Sequence, residues 1–337
     1  MNKATAPGFW SGRPVAVTGA TGFLGHHVAT QLAERGARVV ALVRPTSRRR
    51  HLTHPFIRCA EFDLDDPASI ARACRGCEVL FHVAGMVDFG GDWQHVHRVN
   101  VEGTRHVLAA ARAAGVRRVV YTSSVVAVGA ARRPLVLDES AAWNLENLRV
   151  AYITTKRRAE ELALADPGLP EVVAVNPGCV VGPDDFSGSE FGTLARRFWR
   201  GKVPVHFGGG NNFVDVRDVA DGHLRAAVHG RPGQRYILGG ENRTFTAFFA
   251  DLARVAPRPI FRVRIPAAVG TAAAALYDYL RRGRRSRPYV TAGHARVLPL
   301  FFYYDSAKAR RELGYRARPL RETLADAYRF WMGRAAA

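Results

Sequence analysis

Two side chains in this sequence have the types and spacing suited to acid–base work, Tyr152 and Lys156, in Tyr152-Ile-Thr-Thr-Lys156. At i and i+4 on a helix both project from one face. A free tyrosine has a pKa of ~10, too high for efficient proton transfer at neutral pH, and a nearby ammonium stabilises the phenolate. Taken alone, such a pair is also what an ordinary helix surface carries. The serines Ser123 and Ser124 lift it above that, because they close the preceding strand-like run and bring hydroxyls to the same crevice.

A second group of residues suits binding. Thr18-Gly19-Ala-Thr-Gly22-Phe-Leu-Gly25 follows a β-branched run, Pro14 to Thr18, and opens a helical stretch from Phe23 to Arg35. Glycines at this spacing allow a tight turn, close backbone approach to a pyrophosphate and close helix–strand packing, while the helix N-terminus offers unpaired N–H groups. Gly19, Thr21, Gly22, Phe23, Leu24 and Gly25 are therefore the expected dinucleotide cradle. The next strand, Ala37 to Val43, ends at Arg44, with Arg48, Arg49 and Arg50 close behind. An acid there would bind the ribose 2′-OH of NAD(H), whereas a guanidinium favours the 2′-phosphate of NADP(H). A solvated arginine run with Arg44 stacked on adenine would tolerate either.

The elements that must position these residues follow from the alternation of patterns. Strand-like runs recur at Phe56 to Phe62, Glu78 to Val83, Arg118 to Ser123 and Glu171 to Val175, separated by helical stretches at Pro67 to Arg75, Trp93 to Ala114 and Val150 to Ala165. Near-continuously apolar strands between helices imply a parallel sheet covered on both faces, a doubly wound α/β Rossmann fold. The regularity fades after Gly182. The expected division is a cofactor domain over 1–178, completed by parts of 211–240, and a smaller substrate-binding lobe over 179–337.

Composition narrows the class. The chain has 337 residues, 47% hydrophobic and 23% charged, which excludes a disordered chain. Its formal charge is +20, and all but four of its 49 basic residues are arginine. That excess raises nucleic acid, an anionic membrane surface or an anionic small molecule as partners, beside plain compositional bias on solvated faces. No nucleic-acid motif accompanies it, and nucleic acid is the least expected of the three. The opening residues contain no apolar leader, and no run reaches the ~20 apolar residues of a membrane span. Cys59, Cys74, Cys77 and Cys179 suggest neither a disulfide scaffold nor, without a second half-site to Cys74-Arg-Gly-Cys77, a metal site. The expectation is a cytoplasmic protein with reduced thiols. An apolar stretch, Pro266 to Leu280, followed by five arginines between Arg281 and Arg287, reads either as a packed lobe helix with a basic loop or as a peripheral membrane contact.

These motifs together resemble the extended short-chain dehydrogenases/reductases, the NAD-dependent epimerase/dehydratase superfamily. The resemblance adds Asn176-Pro177-Gly178-Cys-Val-Val-Gly182-Pro183, the run Asn212 to Ala220, Tyr236 to Asn242 and Asp305 to Tyr315, and covers roughly residues 13 to 332. It is strongest to the dihydroflavonol-reductase and 3β-hydroxysteroid-dehydrogenase branch, which includes the hopanoid-associated sugar epimerase-like proteins. The resemblance implies Tyr152 as general acid/base and Lys156 as the residue that binds the nicotinamide ribose and depresses the Tyr152 pKa. It implies Ser124, chosen over Ser123 by alignment to Gly129, as the hydroxyl that orients the substrate oxygen. Asp63 and Leu64 would border the adenine, Ala84 and Gly85 would line the cofactor by backbone contact, and Pro177 would lie beside the nicotinamide. A homodimer through the long helices is implied as well.

Departures from the sugar-nucleotide members bear on substrate. Where those members carry an arginine before their equivalent of Phe213-Val-Asp-Val, this chain has Gly209-Gly-Asn-Asn212; Cys179 replaces an asparagine and Val128-Gly129 a Tyr-Gly. Each change removes a polar group that would hold a sugar nucleotide, although Arg196, Arg197 or Arg217 could substitute. The lobe supplies Phe186, Phe191, Phe198, Trp199, Phe207, Phe301, Phe302, Tyr303 and Tyr304, most of which ordinary core packing explains. The leading expectation is an NADP(H)-dependent oxidoreductase interconverting a carbonyl and a secondary alcohol on a bulky apolar substrate. The alternatives are a nucleotide-sugar epimerase or dehydratase that retains NAD(P), and a non-catalytic dinucleotide-binding regulator.

Overall fold

The computed structural model describes residues 8–165, 168, 170–202, 205–206, 208–256, 263–264 and 291–333. Seven strands form one all-parallel sheet. From one edge they are Ile57–Glu61, Arg38–Val43, Pro14–Thr18, Val79–His82, Arg118–Thr122, Glu171–Pro177 and Arg235–Leu238. The strands inside the sheet are Val- and Ala-rich because both faces are covered. Val15, Ala16 and Val17 are fully buried, as are Val119 and Val120. Ile57–Glu61 closes the open edge and is the polar one, with Arg58, Cys59 and Glu61 exposed.

One face of the sheet packs against the helices Phe23–Glu34, Val216–His229 and Ala307–Leu313, through Val28, Leu32, Val219, Leu224 and Leu313. The other packs against Pro67–Cys74, Gly103–Ala113 and Ala151–Leu164, through Ile70, Val107, Ala111 and Ala159. The stretch expected as one helix from Trp93 to Ala114 is helical throughout but changes geometry, with a π-helical turn at Arg98–Glu102 between α-helical pieces. Such turns displace one residue from the regular helical path. Here it brings Asn100 inward, and Gly103 lets the next turn close on Leu64, whose Cδ2 would stand 2.7 Å from a Cβ there.

The strand order reverses between Pro14–Thr18 and Val79–His82, the point at which such folds open a crevice beyond the carboxyl ends. Above it lies a second sheet, in which Gly210–Asp215 pairs with Glu241–Thr244, Phe301–Tyr304 and Cys179–Val181. It also takes in Val136–Leu137 from the first half of the chain. Glu190–Trp199, Phe245–Arg254 and Leu320–Gly333 bury Phe198, Phe248, Leu252 and Leu324 beside it. Among the described residues no helix is long and apolar enough to cross a membrane, and no cluster of ligating side chains suits a metal ion. Pro266 to Arg287 and Phe207 lie outside the described residues.

Candidate active site

The glycine turn is shaped by contacts no other residue would allow. Gly19 has φ +71, and a Cβ there would lie 2.7 Å from the Ala84 nitrogen, just beyond the strand across the reversal point. A Cβ on Gly25 would lie 2.1 Å from the Gly19 carbonyl oxygen, so the first helix turn rests directly on the loop. Gly22 is the N-cap, no side chain caps this helix, and its first turn carries no acid. The N-terminal N–H groups, with the positive end of the helix dipole, therefore lack an intramolecular partner of the kind that satisfies other helices. This cradle fits a dinucleotide pyrophosphate. Thr21 and Leu24 are half-buried beside it, and Phe23 is buried against His27.

A buried polar chain fixes the crevice floor. The Ala84 N–H donates to Thr18 Oγ1 at 3.1 Å, and Thr18 Oγ1 lies 2.8 Å from His82 Nδ1. His82 Nε2 is 3.2 Å from Thr104 Oγ1, which donates to the Asn100 carbonyl at 2.7 Å. These directions are mutually consistent with a neutral His82 protonated on Nε2, and burial pushes its pKa down to about 3.

Tyr152, Lys156 and Ser124 come together at this crevice. Tyr152 and Lys156 are buried on the helix Ala151–Leu164, and Ser124 caps the short 3₁₀ turn Val125–Ala127. Ser124 faces Tyr152 closely enough to lower its pKa. Ser123 does not: its backbone N–H donates to Val175, and its buried Oγ has no hydrogen-bond partner. Lys156 Nζ donates to the Thr122 carbonyl at 2.9 Å and lies 3.1 Å from where a Gly85 Cβ would be. Gly85 is thus the opening through which the crevice reaches the ammonium.

The electrostatics differ from the expectation in one respect. The Tyr152 pKa is pushed up to about 12, by burial first and by the neighbouring Cys179 and Glu190, against the lowering effect of Ser124. Lys156 is not among the groups that set it. Burial brings Lys156 itself down to about 8, opposed by the charge of Glu160 one turn further on. Desolvation acts on both groups and outweighs their proximity.

Sequence reasoning missed Asn100, Asn176 and Glu160. Asn100 Oδ1 accepts from the Met86 N–H at 2.8 Å, while its Nδ2 donates to the Met86 carbonyl and to Thr155 Oγ1. It clamps the loop carrying Gly85 to the helix carrying Tyr152. Asn176 Nδ2 donates to the Ser124 carbonyl and to Glu160, which is 2% exposed and paired with Arg235 at 3.1 Å. The available signal was a polar residue on the inward face of a helix or strand, visible only once the π-turn and sheet order are known.

The remaining expected residues fall around the crevice. Arg44 is exposed at the end of its strand, and its carbonyl accepts from Ser47. Of the arginines behind it, Arg49 pairs with Glu61. Asp63 is exposed and turns back on the Asp65 N–H, while Leu64 packs on Gly103. Pro177 is buried at the end of its strand.

The lobe aromatics mostly build structure. Phe191, Phe198 and Trp199 belong to the lobe core, and Phe186 stacks on His51 at 3.6 Å. Tyr304 donates to the Val125 and Gly129 carbonyls. Arg217 is held by Asp215 and Asp326, and Arg196 lies over the Trp331 ring.

A Rossmann sheet with an open glycine cradle, and a Ser–Tyr–Lys cluster at its reversal point, define an NAD(P)-dependent oxidoreductase of the extended short-chain dehydrogenase/reductase type. The chain belongs to the NAD dependent epimerase/dehydratase family, whose profile matches residues 15–239. It is 36% identical over 318 residues to a putative dihydroflavonol 4-reductase of Synechocystis sp., covering 92% of each chain. It is also 36% identical over 321 residues to sterol demethylase protein B of Methylococcus capsulatus, covering 92% of this chain and 96% of that one. Among solved structures it is similar to gox2253, with a TM-score of 0.84 and 35% identity over 95% of this chain and 98% of that one.

Proposed function

We propose that the protein is an NADP(H)-dependent reductase or dehydrogenase that interconverts a ketone and a secondary alcohol on a bulky, largely apolar substrate. The observation that carries this reading is the convergence of the buried Tyr152 and Lys156 on one helix with Ser124, which caps the turn after the Thr122 carbonyl that Lys156 holds, at the crevice where the cofactor cradle opens. A bound nicotinamide supplies or accepts the hydride. Tyr152, protonated at neutral pH, passes its proton to the substrate oxygen. Ser124 donates a second hydrogen bond to that oxygen and fixes its position. The Lys156 ammonium would bind the nicotinamide ribose, with Gly85 giving it access. Enclosure strengthens each of these interactions, because little water screens them.

Arg44 supports the preference for NADP(H), since it is exposed at the end of the second strand, the position from which such folds contact the adenosine ribose. The apolar substrate is supported by the sterol-related relative and by the apolar cluster in which Tyr152 packs with Val126, Phe89, Val297 and Leu300. The engagement of Arg196 and Arg217 elsewhere weighs against a sugar nucleotide. The test is consumption of NADPH with apolar ketones such as a 3-ketosteroid. Stoichiometric oxidation of NADPH supports the reading. Tightly retained NAD+ with no net turnover would assign the chain to the epimerases instead.

A further inference from the structure

The crevice holds a second pair of titratable side chains that the proposed reduction does not use. Glu190 opens the helix Glu190–Trp199 and His294 lies in Ala292–Val297, with His294 Nε2 3.1 Å from Glu190 Oε1. His294 Nδ1 accepts from the Thr291 N–H at 3.2 Å and stands 2.8 Å from Thr291 Oγ1. A neutral ring therefore carries its proton on Nε2 and donates it to the carboxylate.

The pair faces the reacting centre through one aromatic ring. Phe89 lies with its ring 4.8 Å from that of His294 and 5.2 Å from that of Tyr152. Backbone contact locks this arrangement, for a Cβ on Gly293 would fall 1.7 Å from the Phe89 carbonyl oxygen. The other flank of Glu190 is fixed by the fully buried Asp185, which accepts the N–H groups of Gly188 and Ser189 and the Ser189 hydroxyl. Glu190 nonetheless keeps 37% of its side chain accessible, against 20% for His294. Its charge reaches both Tyr152 and Cys179.

We propose that Glu190, oriented by His294, is the specificity-determining group of the substrate pocket, accepting a hydrogen bond from a hydroxyl beside the reacting carbonyl and rejecting a carboxylate there. The proposal rests on the proposed function only in placing that carbonyl at Tyr152. An ionised carboxylate is an acceptor only, with capacity for several hydrogen bonds, and a hydroxyl can donate to it alongside its protein partners. A carboxylate in the same place brings like charges together in a half-enclosed site, which disfavours its binding. Phe89, Val297 and Leu300 pack against the apolar cluster that contains Tyr152, and one fixed acceptor beside such apolar surroundings orients a ligand.

The test is equilibrium binding, by fluorescence quenching, of two probes to the protein saturated with NADP+. The probes, 1-hydroxydecan-3-one and 3-oxodecanoate, share the ketone and the tail. The wild type is expected to bind the hydroxyketone at least about tenfold more tightly, and Glu190→Gln to bring the two within about threefold. Both probes are measured on one preparation, so a reduced folded fraction cancels from the ratio. Should Glu190→Gln not fold, His294→Gln is expected to shift the ratio in the same direction. Binding of neither probe, a wild-type ratio below about threefold, or a ratio unmoved in the variant overturns the proposal. In a separate assay with NADPH in place of NADP+, failure to reduce the hydroxyketone would count against the reductase reading, while the binding ratio alone decides the role of Glu190.

Discussion

The Lys156 ammonium donates its hydrogen bond to the carbonyl oxygen of Thr122, 2.9 Å away, and not to Tyr152. Lysine and tyrosine share a helix face, but the ammonium reaches past the phenol to the strand end that carries Ser123 and Ser124. Burial is the cost of that position, and it is why Lys156 sits at about 8.

A pH dependence of stability follows. Between about 8 and the ordinary lysine value of 10.5, the unfolded chain holds a proton that the folded one has released. Stability therefore rises with pH across this window. Relative to Lys156→Met, the wild type should gain about 3 kcal/mol between pH 7 and 10.5, read from urea midpoints. A constant difference would mean that Lys156 is not depressed.

The glycine cradle should tolerate no side chain. Gly19→Ala places a Cβ against the Ala84 backbone at positive φ, and Gly25→Ala against the Gly19 carbonyl. Each variant should lose at least about 1–2 kcal/mol in urea denaturation. Each should also bind NADPH at least about tenfold more weakly, because the loop must move away from the phosphates.

Arg44→Asp should weaken NADPH binding selectively. NADPH affinity is expected to fall by about tenfold or more while NADH affinity changes less than about threefold, as measured by fluorescence titration. Unaltered NADPH binding would remove Arg44 from the 2′-phosphate site.

The Glu160–Arg235 pair lies behind the site, with the Glu160 side chain only 3% exposed. Removing the carboxylate strands a largely buried guanidinium. Glu160→Ala should cost about 3–5 kcal/mol, and Glu160→Gln with Arg235→Met together should cost less than the alanine variant alone. Urea unfolding of the set checks this.

Much of this was legible in the sequence because it is local. The turn from Gly19 to Gly25 and the strands around it are set by backbone sterics and by apolar runs, and the strand Pro14–Thr18 falls where its β-branched pattern indicates. Tyr152 and Lys156 are joined by helical periodicity. The pairing of Ser124 rather than Ser123 with Tyr152 was chosen by resemblance alone, since both hydroxyls end the same strand. Other features depend on chain separation or on which force dominates. Asn100 comes inward only through a π-turn that no periodicity announced. Asn176, Glu160 and Arg235 meet from two neighbouring strands and a helix, with Arg235 far from the other two in sequence. The direction of the Tyr152 pKa turned on how deeply the crevice buries it, which spacing does not report.

The most direct test of the proposed chemistry is Tyr152→Phe, measured as kcat/KM for NADPH-dependent reduction of a 3-ketosteroid alongside NADPH affinity. Loss of the proton donor should lower kcat/KM by about 10²- to 10⁴-fold while NADPH affinity stays within about threefold. A phenylalanine variant that retains turnover within about threefold of the wild type would contradict the assignment of Tyr152 as the acid/base.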